Sequence, residues 1–239
     1  IGGAGSDLID TGDGDDSIHI RAGELANDTM DGGFGFDTFD FSALLGSAVV
    51  DLQAHTVTIA GEGSASITGI ERVDAGGGNN RISVGGGNNQ VVAGSGNDTI
   101  FAAGTLGNTN LIQTGGGNDS IVLGDASDTV YLGTGSSTVS AGGGNDTVML
   151  DFGDNLGQKN VLSGGAGNDT LVLNFSAAEW AQAGVQADVA GLRQLQDAGR
   201  AATSYQFRSI DLKVDNWEKV VVLVDGLLEN GTPYVPPVE

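Results

Sequence analysis

The chain has no cysteine, 3 prolines, 2 histidines and 9 basic residues. Without cysteine there is neither a disulfide framework nor a thiolate zinc site. With so few Lys and Arg, phosphate backbones and anionic membrane surfaces are poor partners. No apolar run of about 18 residues occurs, so no helix is expected to span a bilayer. His19 and His55 stand in unrelated contexts and no H-E-x-x-H is present. There is no G-x-S-x-G nucleophile elbow, and no G-x-G continues into the dinucleotide fingerprint. These absences predict a protein that is not an enzyme.

What is abundant is acid and glycine. The 31 Asp and Glu set a formal net charge of -22. Such a charge opposes compaction unless something cationic offsets it, and oxygen-rich acidic chains suit hard divalent cations, Ca²⁺ first. Glycine numbers 42, against an average of roughly 7%. That excess means either disorder or a backbone that needs φ > 0 again and again, and spacing decides between the two.

The spacing is a nonapeptide repeat. Units begin at Gly2, Thr11, Gly32, Ala75, Val84, Ala93, Thr114, Leu123, Leu132, Ala141 and Gly164, with three longer turns ending at Asp31, Gln113 and Ser163. The eighth position is Ile9, Ile18, Met30, Phe39, Ile82, Val91, Ile100, Ile112, Ile121, Val130, Val139, Val148, Leu162 and Leu171, all apolar. A disordered linker would not keep that column. Positions 7 to 9 read as a short strand with residue 8 pointing inward, and positions 1 to 6 as a Gly-rich loop. Two units make one coil, and coils must stack to bury their side chains. The predicted fold is all-β, a parallel β-roll or β-solenoid in two blocks.

The sixth position carries Asp7, Asp16, Asp28, Asp37, Asp98, Asp119, Asp128, Asp146 and Asp169. Alternate units fall on one side of the roll, so stacking brings these carboxylates close together. They would repel unless a cation sat between them, and loop carbonyls add further oxygens. Asn80, Asn89, Asn110, Ser137 and Asn160 take position 6 elsewhere. Sites there are expected to be weaker or empty.

The stretches Gly115–Ser120 (GGGNDS), Gly142–Thr147 (GGGNDT) and Gly164–Thr170 (GGAGNDT) resemble the RTX calcium-binding repeat G-G-x-G-x-D-x-U-x. The resemblance covers residues 2–40 and 75–172. It implies metal sites shared by Asp98 with Asp119, Asp128 with Asp146, Asp146 with Asp169, Asp16 with Asp37, and Asp7 with Asp28. The pairs Asp98/Asp119 and Asp146/Asp169 are the safest of these. Ala126 stands where the Asp128 loop would have its second glycine, which puts that loop in doubt. About six to nine Ca²⁺ ions would offset much of the charge, and their binding would become folding free energy.

The organisation read from the chain is a first roll block over 1–40, an inserted β elaboration over 41–74, a second roll block over 75–174, an α+β cap over 175–228 and a Pro-rich linker over 229–239. Ser47–Ile59 alternates as strand or hairpin. The two elaborations echo each other, Ile70-Glu71-Arg72-Val73 against Trp217-Glu218-Lys219-Val220. Ser176 and Glu179 form a candidate capping box, with Val185, Val189 and Leu192 on one helix face. Opening on a repeat and leaving through prolines, the chain reads as a stretch of something longer.

The resemblance also implies type I secretion of the Gram-negative kind, with folding outside the cell at millimolar Ca²⁺. The expected function is a calcium-folded structural module of a large secreted or surface protein: an adhesin, an S-layer-like protein or a fibrous assembly. The alternative is the secretion and folding module of an exoenzyme or toxin whose effector lies elsewhere. Expected partners are calcium ions, with copies of itself or other surface components, but neither nucleic acid nor a membrane interior. Ice binding is argued against, because position 3 carries Thr only at Thr134.

Overall fold

The computed structural model describes residues 3–235 except 103, 105, 106 and 202. The first two residues of the first block and the last four of the Pro-rich tail lie outside them.

Strands collect into a 12-stranded and a 10-stranded sheet that face each other across a narrow core. Each coil lays one short strand in each sheet. Leu8–Asp10 pairs in parallel with Thr29–Asp31, setting Ile9 opposite Met30, while Ser17–His19 pairs with Thr38–Asp40, setting Ile18 opposite Phe39. The same register recurs down the second block, Ile100 against Ile121 and Val130 against Val148. Because strand side chains alternate between faces, this register puts every position-8 residue inward. Met30, Phe39, Ile82, Ile100, Ile112 and Leu162 are fully buried, and Ile9 in the first coil is only partly covered.

The loops stack as closely as the strands. Gly33 has φ +91° and Gly117 has φ +127°, and a Cβ on either would run into the carbonyl of the loop one coil earlier, Gly12 or Gly96. Both conditions admit glycine alone. Ala126 is buried, and it is not among the non-glycine residues with positive φ. The Asp128 loop therefore closes by a different backbone path, while its strand Thr129–Leu132 keeps the register.

Residues 41–74 lie partly inside the roll. Ala48–Asp51 and Thr56–Ile59 form an antiparallel hairpin that adds two strands to the 12-stranded sheet. Gly63–Thr68 and Arg72–Asp74 are a coil of the roll, pairing in parallel with Thr29–Asp31 and Thr38–Asp40 and delivering Ile67 and Val73 to the core column. The 10-stranded sheet passes from Thr38–Asp40 through Arg72–Asp74 to Asn89–Val92 without a matching insertion.

The C-terminal elaboration also contributes a coil. Leu212–Asp215 pairs in parallel with Asn160–Ser163, and Lys219–Val224 with Thr170–Phe175. Antiparallel strands Tyr205–Gln206 and Leu227–Leu228 then end the two sheets, and strands this short offer little edge for pairing with another chain. The capping box is present: Ser176 Oγ accepts from Glu179 N, and Glu179 Oε2 accepts from Ser176 N. The helix it starts, α1 (Ala177–Trp180), stops after one turn, and α2 (Ala183–Asp197) follows with Val185, Val189 and Leu192 buried. Trp217 is buried and donates its indole N–H to Leu162 O at 3.2 Å. Pro233 bridges to Leu227, and Tyr234 packs against the outer cluster Val172, Val221 and Leu223. The start of the tail read as a linker is thus docked.

Candidate metal ladder

The position-6 residues form two ladders, one on each loop side of the roll. On the first, Asp7 N donates to Asp28 Oδ1 at 2.8 Å, Asn80 N to Asp98 Oδ1 at 2.7 Å and Asp98 N to Asp119 Oδ1 at 2.9 Å. On the second, Asp16 N donates to Asp37 Oδ1, Asp128 N to Asp146 Oδ1 and Asp146 N to Asp169 Oδ1, each at 2.8 Å. Every side-chain pair implied by the family resemblance is therefore brought together, one coil apart. The reason is local: positions 7 to 9 pair in parallel, so the loop residue before each strand sits above its counterpart.

Seven of the nine carboxylates spend one oxygen, Oδ1, on a neighbour's backbone N–H, while Asp7 and Asp16 head the two ladders. In every one the other oxygen is buried and lacks a hydrogen-bond partner: Oδ2 of Asp7, Asp16, Asp28, Asp37, Asp98, Asp119, Asp128, Asp146 and Asp169. These are all nine aspartates picked from the sequence. A buried oxygen left without a partner costs about 1–3 kcal/mol, and more when charged. None of the ion pairs among the described residues involves a ladder aspartate. Arg193 bridges to Glu229, and Arg200, Arg208, Lys213 and Lys219 are exposed. The acidic ladder is not neutralised by the cap.

The electrostatics report the same strain. Burial pushes Asp98 up to about 6, with the Asp119 charge adding to it. Burial pushes Asp146 up to about 8, and Asp169 and Asp128 on either side add to it. Asp119, Asp128 and Asp169 are raised too, each chiefly by burial. Neighbouring carboxylates cannot share such a space as anions without a cation.

The asparagine units show where that cation's other ligands lie. Asn80 Nδ2 donates to Gly78 O and Ala93 O, and Asn89 Nδ2 donates to Gly85 O and Gly87 O. The loop carbonyls thus converge on the position-6 side chain. Where that side chain is Asp, acceptors meet an acceptor. Among the described residues no three Asp, Glu or His side chains converge, so an ion here would draw on a pair of carboxylates and on loop carbonyls. That all-oxygen set fits Ca²⁺.

Two ladder residues escape the nonapeptide frame. Asp37 N donates to Glu71 Oε2, and Asp169 N donates to Glu218 Oε2, each at 2.9 Å. Burial raises Glu71, and the Asp37 charge raises it further. The sequence signal for both was the echo between Ile70–Val73 and Trp217–Val220.

His19 has company that its sequence context does not show. Ser17 Oγ lies 3.2 Å from His19 Nε2, and His19 Nδ1 lies 2.7 Å from Asp40 Oδ2. That is the order of a nucleophile relay. It stands on the open outer face of a strand, with the His19 side chain 53% exposed, and the larger cavities lie elsewhere.

A stacked parallel roll with ladders of acidic loops defines a metal-binding β-roll. A family model of the RTX calcium-binding nonapeptide repeat, four copies long, matches residues 1–39, 67–100, 105–139, 123–156 and 157–174. These stretches make up more than half of the chain, and the chain belongs to that family of calcium-binding repeats. The second match begins at residue 67, inside the segment 41–74 and at the strand that rejoins the roll. No curated protein matches the chain.

Proposed function

We propose that the chain is a calcium-folded structural module, working outside the cell as part of a secreted or surface RTX protein and carrying no catalysis of its own. One observation carries this reading: nine buried carboxylate oxygens without a protein partner, all on two ladders. Asp7, Asp16, Asp28, Asp37, Asp98, Asp119, Asp128, Asp146 and Asp169 would hold the ions, with loop carbonyls completing each site. Bound Ca²⁺ would supply the positive charge that the chain's own few cations do not bring to the ladders. Because the unfolded chain has no such sites, binding stabilises the fold directly. A chain with this logic stays extended where Ca²⁺ is scarce and folds where it is millimolar, which suits export in the unfolded state. The long repetitive surface and the closed C-terminal coil suit an adhesin, S-layer-like or fibrous protein.

Far-UV circular dichroism with sedimentation velocity tests this, first in EDTA and then in about 5 mM CaCl₂, the range of weak extracellular sites. The expected result is a chain that loses most of its β-structure in chelator and regains it with calcium. A compact monomer would point to a spacer or secretion role, and large assemblies to a filament or S-layer subunit. A β-roll that persists in excess chelator would overturn the reading.

A further inference from the structure

We propose that Glu71 and Glu218 are terminal metal ligands, each completing a divalent-cation site with the aspartate one coil earlier, Asp37 and Asp169. This rests on the reading of the aspartate ladder as calcium-binding. It adds two ligands that lie outside the nonapeptide pattern.

The two glutamates stand in equivalent places. Between Gly63–Thr68 and Arg72–Asp74 the chain has only residues 69–71, and between Leu212–Asp215 and Lys219–Val224 only 216–218. Regular loops are longer, as between Leu8–Asp10 and Ser17–His19, which are joined by residues 11–16. Each short turn opens on a left-handed residue, Gly69 at φ +58° and Asn216 at φ +55°. The carbonyls of these two residues close over Gly32 and Gly164, where no Cβ would fit. A shorter turn brings less backbone towards the ladder, and the extra methylene of Glu restores the reach that Asp has from a full loop. The Glu Oε2 then takes the N–H that an Asp Oδ1 takes elsewhere.

The second, independent observation lies on the facing residue. Asp37 is 1% exposed and Asp169 is 0% exposed. In both, Oδ2 is buried with no partner, although the neighbour in the ladder is already the glutamate. A glutamate that only caps an N–H would leave Asp37 and Asp169 in one ion site each, with Asp16 and Asp146 respectively. A glutamate that shares a cation gives each a second site, as Asp146 would have with its two ladder neighbours. The arrangement occurs twice, before a hairpin-bearing insertion ends and again at the last coil.

Glu→Gln separates the two roles, because the amide oxygen still accepts the N–H while the charge is lost. Glu71→Gln and Glu218→Gln are each expected to fold in calcium and to bind about one ion fewer per chain by equilibrium dialysis. Trp217 adjoins Glu218, so Tb³⁺ provides a local readout. Terbium emission excited through tryptophan is expected to fall several-fold in Glu218→Gln and to hold in Glu71→Gln and in a control, Asp154→Asn, at an exposed carboxylate off the ladders. Unchanged ion counts and unchanged emission would overturn the proposal while leaving the aspartate ladder standing. A wild-type chain that takes up no calcium would instead remove the ladder reading itself. If Glu218→Gln does not fold, Glu218→Asp keeps the charge on a shorter arm. Weakened Tb³⁺ affinity at the tryptophan-coupled site is then expected, and unchanged affinity would refute the assignment.

Discussion

Aspartate and asparagine units occupy the same position of the same repeat, yet the protein completes only one of them. At Asn80 and Asn89 the side-chain amide donates to the surrounding carbonyls, and the rung is satisfied by the chain alone. At Asp98 or Asp146 the backbone N–H bond is the same, but the second oxygen faces the loop without a donor. An amide and a metal-bound carboxylate are thus two answers to one problem, the inward carbonyls of a Gly-rich loop. One is built in, and the other depends on the medium. Asparagine fills the position at 80, 89, 110 and 160, with Asp98 between the second and third of these and aspartates more frequent elsewhere. Calcium dependence should therefore be uneven along the roll.

The largest effect is expected on chelation. Amide exchange should accelerate by roughly 100-fold or more at Ser17–His19 and Thr147–Asp151, and by less across Arg81–Val84 and Asn89–Val92. Hydrogen exchange with and without EDTA measures this. Equal loss everywhere would break the comparison, because it would make the roll one cooperative unit regardless of which residue fills position 6.

Asp146 is the next most consequential site. Its Oδ1 accepts from Asp128 N, its own N–H donates to Asp169, and it would belong to two ion sites at once. Asp146→Ala should cost about 3 kcal/mol or more of stability in calcium, measured by urea unfolding at fixed Ca²⁺. Asn89→Ala, which removes amide donors but no charge, should cost about 1–2 kcal/mol. Equal costs would show that the two kinds of rung are not distinguished by metal.

Exchanging the residues should reverse the sign of the effect with the medium. Asn80→Asp removes the donor to Gly78 O and Ala93 O. In chelator it should destabilise the region by about 1–3 kcal/mol, and in saturating calcium, where it adds a charged ligand, it should stabilise the region instead. Asp98→Asn should do the opposite, gaining stability in chelator and losing an ion in calcium. Thermal melts of both variants in the two media give the four values needed. Shifts of the same sign in both media would sink the idea that amide and metal substitute for one another.

The columns at positions 6 and 8 were legible in the sequence because a stacked repeat copies its geometry from coil to coil. Asp98 must face what Asp119 faces, and Ile100 must meet Ile121. Legibility ended where the frame did. Gly63–Asp74 and Leu212–Val224 are coils of the roll whose connecting turns have half the usual loop, so no nonapeptide marks them, and Glu71 and Glu218 went unread as ladder residues. The alternation in 47–59 read as strand or hairpin, but the place of the hairpin as two extra strands in one sheet only was not in it. A local pattern says which face of a strand is buried, not which neighbour it will meet. The docking of Pro233 and Tyr234 is a tertiary contact to Leu227 and to the outer face around Val172, and composition alone read it as linker. The relay of Ser17, His19 and Asp40 depends on register across two coils and was likewise invisible.

The smallest effect expected is one of pH, and it asks whether a proton can make an aspartate rung behave like an asparagine one. A protonated carboxyl has an O–H to donate where Asn has its N–H, so acid should finish the rung in the absence of metal. The folded values of Asp98 and Asp146 lie at about 6 and about 8, above the ordinary 3.8, chiefly because burial disfavours the charge. For a carboxylate raised by folding, the folded state holds the proton in the window where the unfolded state has released it. Stability from these groups is then full near pH 4 and is lost as pH rises through 6 towards 8. Asp40 acts in the other direction. Burial alone would raise it, but hydrogen bonds from Ser42 and contact with His19 hold it below 3.8, so its contribution is lost only in stronger acid. In chelator, lowering the pH from 8 to about 5 should therefore increase β-structure and protection at Thr147–Asp151. In calcium the same change should weaken the fold, because protons compete with the metal for the same oxygens. Circular dichroism across that range in both media checks the pair of signs. Acid that destabilises the chelated protein as well would mean that the Oδ2 atoms do not sit among acceptors, and the likeness between amide, proton and metal would fail.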